Sequence, residues 1–357
     1  MCCRIKTTYI ILSIVIFLLN TNDINSFSPI LPFRIITKIK QSKFITHKLA
    51  NLDNIETENQ DPEYPRLDSR FDGIQRLYGE KKFELLKKSH VCVVGTGGVG
   101  SWAAEALART GIGQITLIDL DDVCTSNINR QLVALSSTVG MQKIDVLKLR
   151  IREINPSCTI NLVYDFLTKE NVESLLLTAE KTPKGIERMK GRFDCVLDCI
   201  DGVTDKCYLI DTCRRAQMPV VTVGAAGGKR DPSQIKISDI TNAKCDKLLA
   251  RVRKLLRQRH GFPRTEKKQK NAEWGLPCVY SSERVSLNAN EDKTAGFRKC
   301  DSQFGTATFV TGTFGFFAAA LVCSTIIEDE EKMNWSKLLT EDTADAKNKE
   351  EEFMINQ

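Results

Sequence analysis

Four glycines fall within the six positions from Gly95 to Gly100, in the stretch VCVVGTGGVGSWAAEALARTG (residues 91–111). Gly95, Gly97 and Gly100 satisfy the GxGxxG pattern, and Gly98 lies between them. An apolar β-branched run precedes the turn and good helix formers follow it. Glycine lets backbone approach a ligand that a Cβ would hold off. A helix starting at such a turn offers its first amides to an anion. The chemistry is therefore phosphate binding. Asp119 ends the next apolar run, where a carboxylate can bond ribose hydroxyls. At this point a dinucleotide that carries hydride and a triphosphate that is to be broken fit equally.

The residues after Asp119 separate the two. The stretch DLDDVCTSNINRQ places Asp121, Asn127, Arg130 and Gln131 beyond the second apolar run, and Lys143 opens the following helical pattern. Hydride transfer has no need of a further arginine and lysine there. Attack of a carboxylate on an α-phosphate builds negative charge on the phosphoryl oxygens and the leaving pyrophosphate. Arg130 and Lys143 held at that point would stabilise it. Asp201, which ends the run DCID, can hold a Mg2+ ion on the phosphates of ATP.

The elements that must position these residues alternate. Strand patterns cover residues 91–94, 114–122, 158–166, 193–201 and 219–223, the last running into a glycine turn. Helical patterns cover 101–109, 143–155 and 206–217. Such alternation predicts an α/β fold with a doubly wound, mostly parallel, Rossmann-like sheet and a C-terminal extension. The glycines and aspartates then fall beyond the carboxyl ends of the strands, where such sheets bind ligands.

The words GTGGVGS, LIDLDDV, SNINRQ, VGMQK and DCID together resemble the adenylation domain shared by ubiquitin-activating enzymes and the bacterial activators of sulfur-carrier proteins. With RLYGEK, INP, GGKRDPSQIKISDI and CVYSSE added, residues 70–327 resemble the tRNA threonylcarbamoyladenosine dehydratases. That resemblance implies ATP-dependent adenylation of the threonylcarbamoyl carboxylate on an adenosine beside the tRNA anticodon. Closure by an internal nucleophile follows, with net loss of water. It implies nucleotide and metal roles for Gly98, Asp119, Arg130, Lys143 and Asp201, joined by Gly95, Gly97, Gly100, Asp121 and Asn127. It also implies a homodimer in which an arginine near the N-terminus reaches the other subunit's phosphates; of Arg70 and Arg76, Arg76 is preferred. Ring closure is intramolecular and already has proximity, so no enzyme thiolate is required. Cys278 in GLPCVYSSE is the thiol nearest to a motif, and it reads as packed rather than nucleophilic.

The net charge is only +6, but it is unevenly spread. Residues 244–270 are the most basic stretch. Its first part reads as a helix with Leu248, Val252, Leu255 and Leu256 on one face. Arg251, Arg253, Arg257 and Arg259 would neutralise tRNA phosphates without reading sequence. The thirteen cysteines contain no CxxC pair, so no zinc site is expected. Free thiols of a reducing compartment are the expectation.

Residues 1–50 read as a targeting leader. A short basic start and an apolar run at 9–19 suit a signal sequence, and the basic, acid-poor stretch after it suits a transit sequence. Such two-part leaders resemble those of algae with complex plastids; a mitochondrial or membrane-anchored destination is the alternative. Residues 51–65 read as a polar linker, 66–327 as the ATP-binding domain and 328–357 as a charged tail. The uncharged run 304–327 is long enough to span a bilayer, but its glycines and threonines also suit a buried helix under a sheet. Residues 180–192 and 286–297 read as loops of variable length.

Two rival activities share parts of this pattern. Activation of the C-terminus of a ubiquitin-like or sulfur-carrier protein would bring paired CxxC motifs and a catalytic cysteine, and a basic helix favours RNA over it. An NAD-dependent oxidoreductase would leave Arg130 and Lys143 without a task. A non-catalytic adaptor would leave Arg130, Lys143 and Asp201 without one.

Overall fold

The computed structural model describes residues 67–181, 187–263, 273–285 and 305–327. The leader, the linker, the end of the basic stretch (264–270), the segment 286–297 and the charged tail lie outside the described residues.

Helices α1 (Asp72–Tyr78) and α2 (Glu80–Lys88) lead into β1 (His90–Val94). Then come α3 (Gly100–Arg109), β2 (Gln114–Ile118), α4 (Lys143–Ile154), β3 (Thr159–Val163) and the short α5 (Val172–Leu176). The strands β4 (Leu177–Lys181) and β5 (Glu187–Gly191) pair antiparallel. β6 (Cys195–Asp198), α6 (Val203–Arg215) and β7 (Val220–Val223) complete the alternating part. β8 (Ile235–Asp239), α7 (Lys247–Arg259), β9 (Pro277–Ser281) and α8 (Thr308–Ile327) end the described chain.

The main sheet has seven strands in the order β3-β2-β1-β6-β7-β9-β8. Every neighbouring pair is parallel except β8 with β9. The doubly wound, mostly parallel architecture expected from the alternating pattern is present. Alternate side chains of each strand feed two cores. Val91 and Val93 of β1 join Leu107 of α3, Leu147 of α4 and Phe314 of α8. Cys92 and Val94 join Leu209 of α6 and Val252 of α7 on the other face. Burial on both faces is why the central strands read as unbroken apolar runs.

Some elements differ from the sequence reading. The second strand stops at Ile118; the Asp119 N–H still donates to the Val163 carbonyl at 3.2 Å, and its carboxylate turns into the neighbouring loop. β8 and β9 are additional strands; β8 lies at the sheet edge and alternates too weakly to announce itself. Part of 180–192 is not loop but the β4–β5 pair. On α7 the buried residues are Leu249, Val252 and Leu256, so the inward face is turned from the expected one, and Leu248 and Leu255 are only partly covered.

Helix α8 is long and apolar enough to cross a membrane by length and composition, and half of its most apolar window is buried here. Its small residues let it lie directly on α3. A Cβ on Gly315 would stand 2.7 Å from Trp102 Cβ and 2.8 Å from the Val99 carbonyl oxygen. The outer side keeps Phe309 and Phe316 exposed, at 59% and 52%. Gly315→Leu is expected to push α8 off α3 and to cost about 1–3 kcal/mol of stability, read as a lower midpoint in thermal denaturation followed by circular dichroism.

Candidate active site

The crevice lies where the chain order reverses, between β1 and β6, and the loops at the carboxyl ends of the parallel strands form it. The glycine turn sits at the end of β1. Gly95 has φ +85°, and a Cβ there would meet the Cys199 carbonyl oxygen at 3.1 Å. A Cβ on Gly100 would stand 1.9 Å from the Gly95 carbonyl oxygen, so no other residue fits without rebuilding the turn. Gly97 faces Gln131 Nε2 and Gly98 faces Thr311 Cγ2, with Cβ distances of 3.7 and 3.3 Å.

Asp119 grips this turn. Its Oδ2 accepts from the Thr96 backbone N–H at 2.6 Å and from Thr96 Oγ1 at 2.8 Å. Its Oδ1 accepts from the Asp121 N–H at 2.9 Å. A carboxylate has about four acceptor sites, so capacity remains for a ribose hydroxyl. Just beyond it, on the loops after β2 and β3, Leu120, Tyr164 and Phe166 are exposed apolar side chains.

The loop after β2 carries the expected polar group. The Arg130 carbonyl accepts from Trp102 Nε1 at 3.1 Å and from Thr311 Oγ1 at 3.0 Å, which pins its backbone between α3 and α8. Its Cγ would lie 3.8 Å from a Cβ on Gly98, so the arginine stands against the glycine turn. The guanidinium donates to the Ser126 carbonyl at 2.6 Å and to Asn129 Oδ1 at 3.0 Å. Gln131 is buried beside Gly97, and its Oε1 has no hydrogen-bond partner among the described residues. Asn127 is also buried, and its Oδ1 accepts from the Cys124 N–H, so that oxygen serves the loop itself. Lys143 opens α4, and its Nζ meets Asp121 Oδ2 at 2.7 Å. The lysine side chain is 6% exposed and the aspartate 53%, so the pair is open on its acidic side.

Asp201 is exposed in the turn after β6 and makes no hydrogen bond or ion pair among the described residues. Residues that the sequence did not single out build this turn. Lys206 and Asp198 are fully buried, with Nζ and Oδ2 2.7 Å apart. Thr222 Oγ1 donates to the same oxygen at 2.7 Å, and Asp198 Oδ1 accepts from the Ile200 N–H at 3.1 Å. The pair thus fixes the backbone just before Asp201. A lysine placed early in a helix directly after an aspartate-rich strand end was the available signal.

Other expected residues do not converge here. Arg70 donates to the Glu153 and Ile154 carbonyls at 3.1 Å, at the C-terminus of α4. Arg76 is exposed on α1 and makes no hydrogen bond or ion pair among the described residues. The four arginines expected to hold RNA split into two pairs. Arg253 donates to the Ile240 carbonyl at 2.8 Å, and Arg257 stacks over Trp274 at 5.1 Å, so both are used inside the fold. Arg251 and Arg259 are exposed, together with Lys247 and Lys254. Cys278 is fully buried in β9, and burial pushes its thiol up to about 12. Cys199, on the wall of the glycine turn, is likewise pushed up to about 12 by burial. Neither is a thiolate near neutrality.

Asp119→Asn would turn an amide N–H toward Thr96 or Asp121, or rotate away from both. Loss of a charge-assisted hydrogen bond is worth about 1.5–3 kcal/mol. The expected outcome is at least about tenfold weaker ATP binding, measured by titration calorimetry, with the fold retained.

A model of the ThiF family matches residues 72–353. The tRNA threonylcarbamoyladenosine dehydratase of Haemophilus influenzae is 40% identical over 263 residues, 73% of this chain and 94% of the relative. The dehydratase of Escherichia coli is 44% identical over 260 residues, 70% of this chain and 91% of the relative. A crystal structure of the Escherichia coli enzyme in complex with ATP matches with a TM-score of 0.60 at 43% identity, over 72% of this chain and 93% of that one. An adenylyltransferase and sulfurtransferase of Drosophila willistoni is 34% identical, over 39% of this chain. With sequence shared along nearly the whole length of the dehydratases, the chain belongs to the ThiF family, among the tRNA threonylcarbamoyladenosine dehydratases.

Proposed function

We propose that the protein adenylates the carboxylate of the threonylcarbamoyl group on a tRNA adenosine beside the anticodon, and then cyclises it. A carboxylate oxygen attacks the α-phosphorus of ATP, the α–β bridging bond breaks and pyrophosphate leaves. An internal nitrogen or oxygen of the substrate then attacks the acyl carbon. AMP departs with the former carboxylate oxygen, so the nucleoside loses one water. The observation that carries this reading is the glycine turn with the Arg130 side chain beside it: the arginine stem passes Gly98 and its guanidinium is held on the adjoining loop by Ser126 and Asn129. Arg130 and Lys143 balance the charge that develops there. The turn, where neither Gly95 nor Gly100 has room for a Cβ, fits the close approach of a nucleotide's phosphates.

Mg2+ fits the same reading. It is usually held by one or two carboxylates plus phosphates, and Asp201 offers an exposed carboxylate in the turn after β6, the strand next to β1. A homodimer belongs to the proposal as well. Arg70 is engaged within its own chain, which leaves Arg76 as the arginine that can reach a partner's phosphates. The exposed phenylalanines of α8 are available to a second copy or to a membrane surface.

Incubation of threonylcarbamoylated tRNA with the protein, ATP and Mg2+ is expected to give a nucleoside lighter by one water in mass spectrometry. An unchanged nucleoside mass would defeat the proposal. The exposed cations of α7 are proposed to hold tRNA phosphates. Replacing Arg251, Lys254 and Arg259 together with Ala is expected to weaken tRNA binding and to flatten its log–log salt dependence by about one unit for each phosphate interaction removed. ATP affinity should stay unchanged in the same variant. Replacing Arg253 or Arg257 should instead lower thermal stability.

A further inference from the structure

A third turn borders the crevice, at Gly224–Gly228, directly after β7 and next to the turn that carries Asp201. Several interactions clasp it. Asp246 is buried and caps α7, its Oδ1 accepting from the Leu249 N–H at 2.9 Å. Its Oδ2 accepts from the Ala225 N–H at 2.9 Å, so one side chain ties the turn to the start of the basic helix. A Cβ on Gly224 would stand 2.2 Å from that oxygen. The Gly228 N–H donates to the Gly305 carbonyl at 2.9 Å, just ahead of α8.

Lys229 closes the clasp. It is 3% exposed, a burial that a lysine rarely reaches without partners. Its Nζ donates to the carbonyls of Cys245 and Ser281 at 3.3 and 3.5 Å, and to that of Glu283. Glu283 returns the contact, its carboxylate accepting from the Arg230 and Asp231 N–H groups at 2.9 and 3.0 Å. The ammonium therefore joins three segments: the turn, the residue before the capping Asp246, and the end of β9. Burial lowers the lysine's proton affinity, while Asp246 and Glu283 oppose that effect. An ion bound only by backbone carbonyls is costly to bury. Joining those segments into one surface is what it provides.

We infer that Lys229 is a positioning residue for the second substrate: it sets the Gly224–Gly228 turn and the start of α7 as one wall, against which the carboxylate-bearing nucleoside lies while the same tRNA rests on the helix. The inference rests on the reaction proposed above. It couples RNA docking to the placement of the carboxylate, without contact to ATP.

The test uses Lys229→Ala in the full chain. A displaced turn misplaces the carboxylate, so turnover of threonylcarbamoylated tRNA, assayed below the variant's thermal midpoint, is expected to fall about 100-fold, with ATP affinity close to that of the unchanged protein. Ammonium chloride should restore turnover by refilling the carbonyl cage, and tetramethylammonium chloride should not. Unchanged turnover, a loss of ATP affinity in step with turnover, or no rescue by ammonium would each overturn the inference. If Lys229→Ala does not fold, Lys229→Arg keeps the charge but puts a larger planar fork in place of the compact ammonium; it is expected to show the same split, and wild-type turnover would overturn the idea. Should the unchanged protein fail to dehydrate the nucleoside, the proposed reaction is what fails. Lys229 is then judged by hydrogen exchange. The amides of Ala225 and Leu249 must both exchange faster in the variant while Gly95–Gly100 is unaffected; otherwise the clasp is rejected.

Discussion

The site depends on one carboxylate. Asp119, at the end of β2, holds both the backbone and the hydroxyl of Thr96 and so sets the turn between Gly95 and Gly100. The turn leaves no room for a Cβ at Gly100, which is pressed on the Gly95 carbonyl. Backbone amides at the head of α3 are thereby presented in a fixed direction. A helix N-terminus gains its preference for anions only where its amides are uncovered. The glycines provide the opening, and Asp119 provides the rigidity.

The charges around the crevice are handled in two ways. Lys143 and Asp121 meet with the aspartate largely in water, so solvent screens the pair and it can be exchanged for a ligand contact at low cost. Asp198 and Lys206 are withdrawn from water entirely and share Thr222. Removing one member of such a pair costs about 3–5 kcal/mol, because the other is left charged and buried. The first arrangement suits residues that must act on a substrate. The second suits residues that must hold a turn in one geometry, here the one that presents Asp201.

Helices α7 and α8 show how one composition serves two surfaces. The arginines of α7 divide by the side of the helix they occupy: Arg253 and Arg257 meet a carbonyl and an indole, whereas Arg251 and Arg259 are exposed. In α8, Gly312 and Gly315 lie against Trp102 of α3 and Phe314 is buried in the core, while Phe309 and Phe316 are exposed. Close approach of two backbones needs small residues, which is what Gly312 and Gly315 provide where α8 meets α3.

Period and punctuation along the chain determined a good deal. The apolar runs, the glycine turn and the helix formers after it dictate alternating strands and helices, and that alternation implies the parallel sheet. The placement of Asp119, Arg130, Lys143 and Asp201 on the segments that follow β2 and β6 comes from the same pattern, because these are local features of backbone propensity and side-chain spacing. Partner choice was not legible. Lys229 reads in sequence as part of a polar turn, yet it is buried among three carbonyls from distant segments. Arg253 reads the same as Arg251, and Lys206 reads as an ordinary helix lysine. Only the tertiary fold decides which of these charges faces water, since burial depends on what the opposite element presents, and that element lies tens of residues away in the chain.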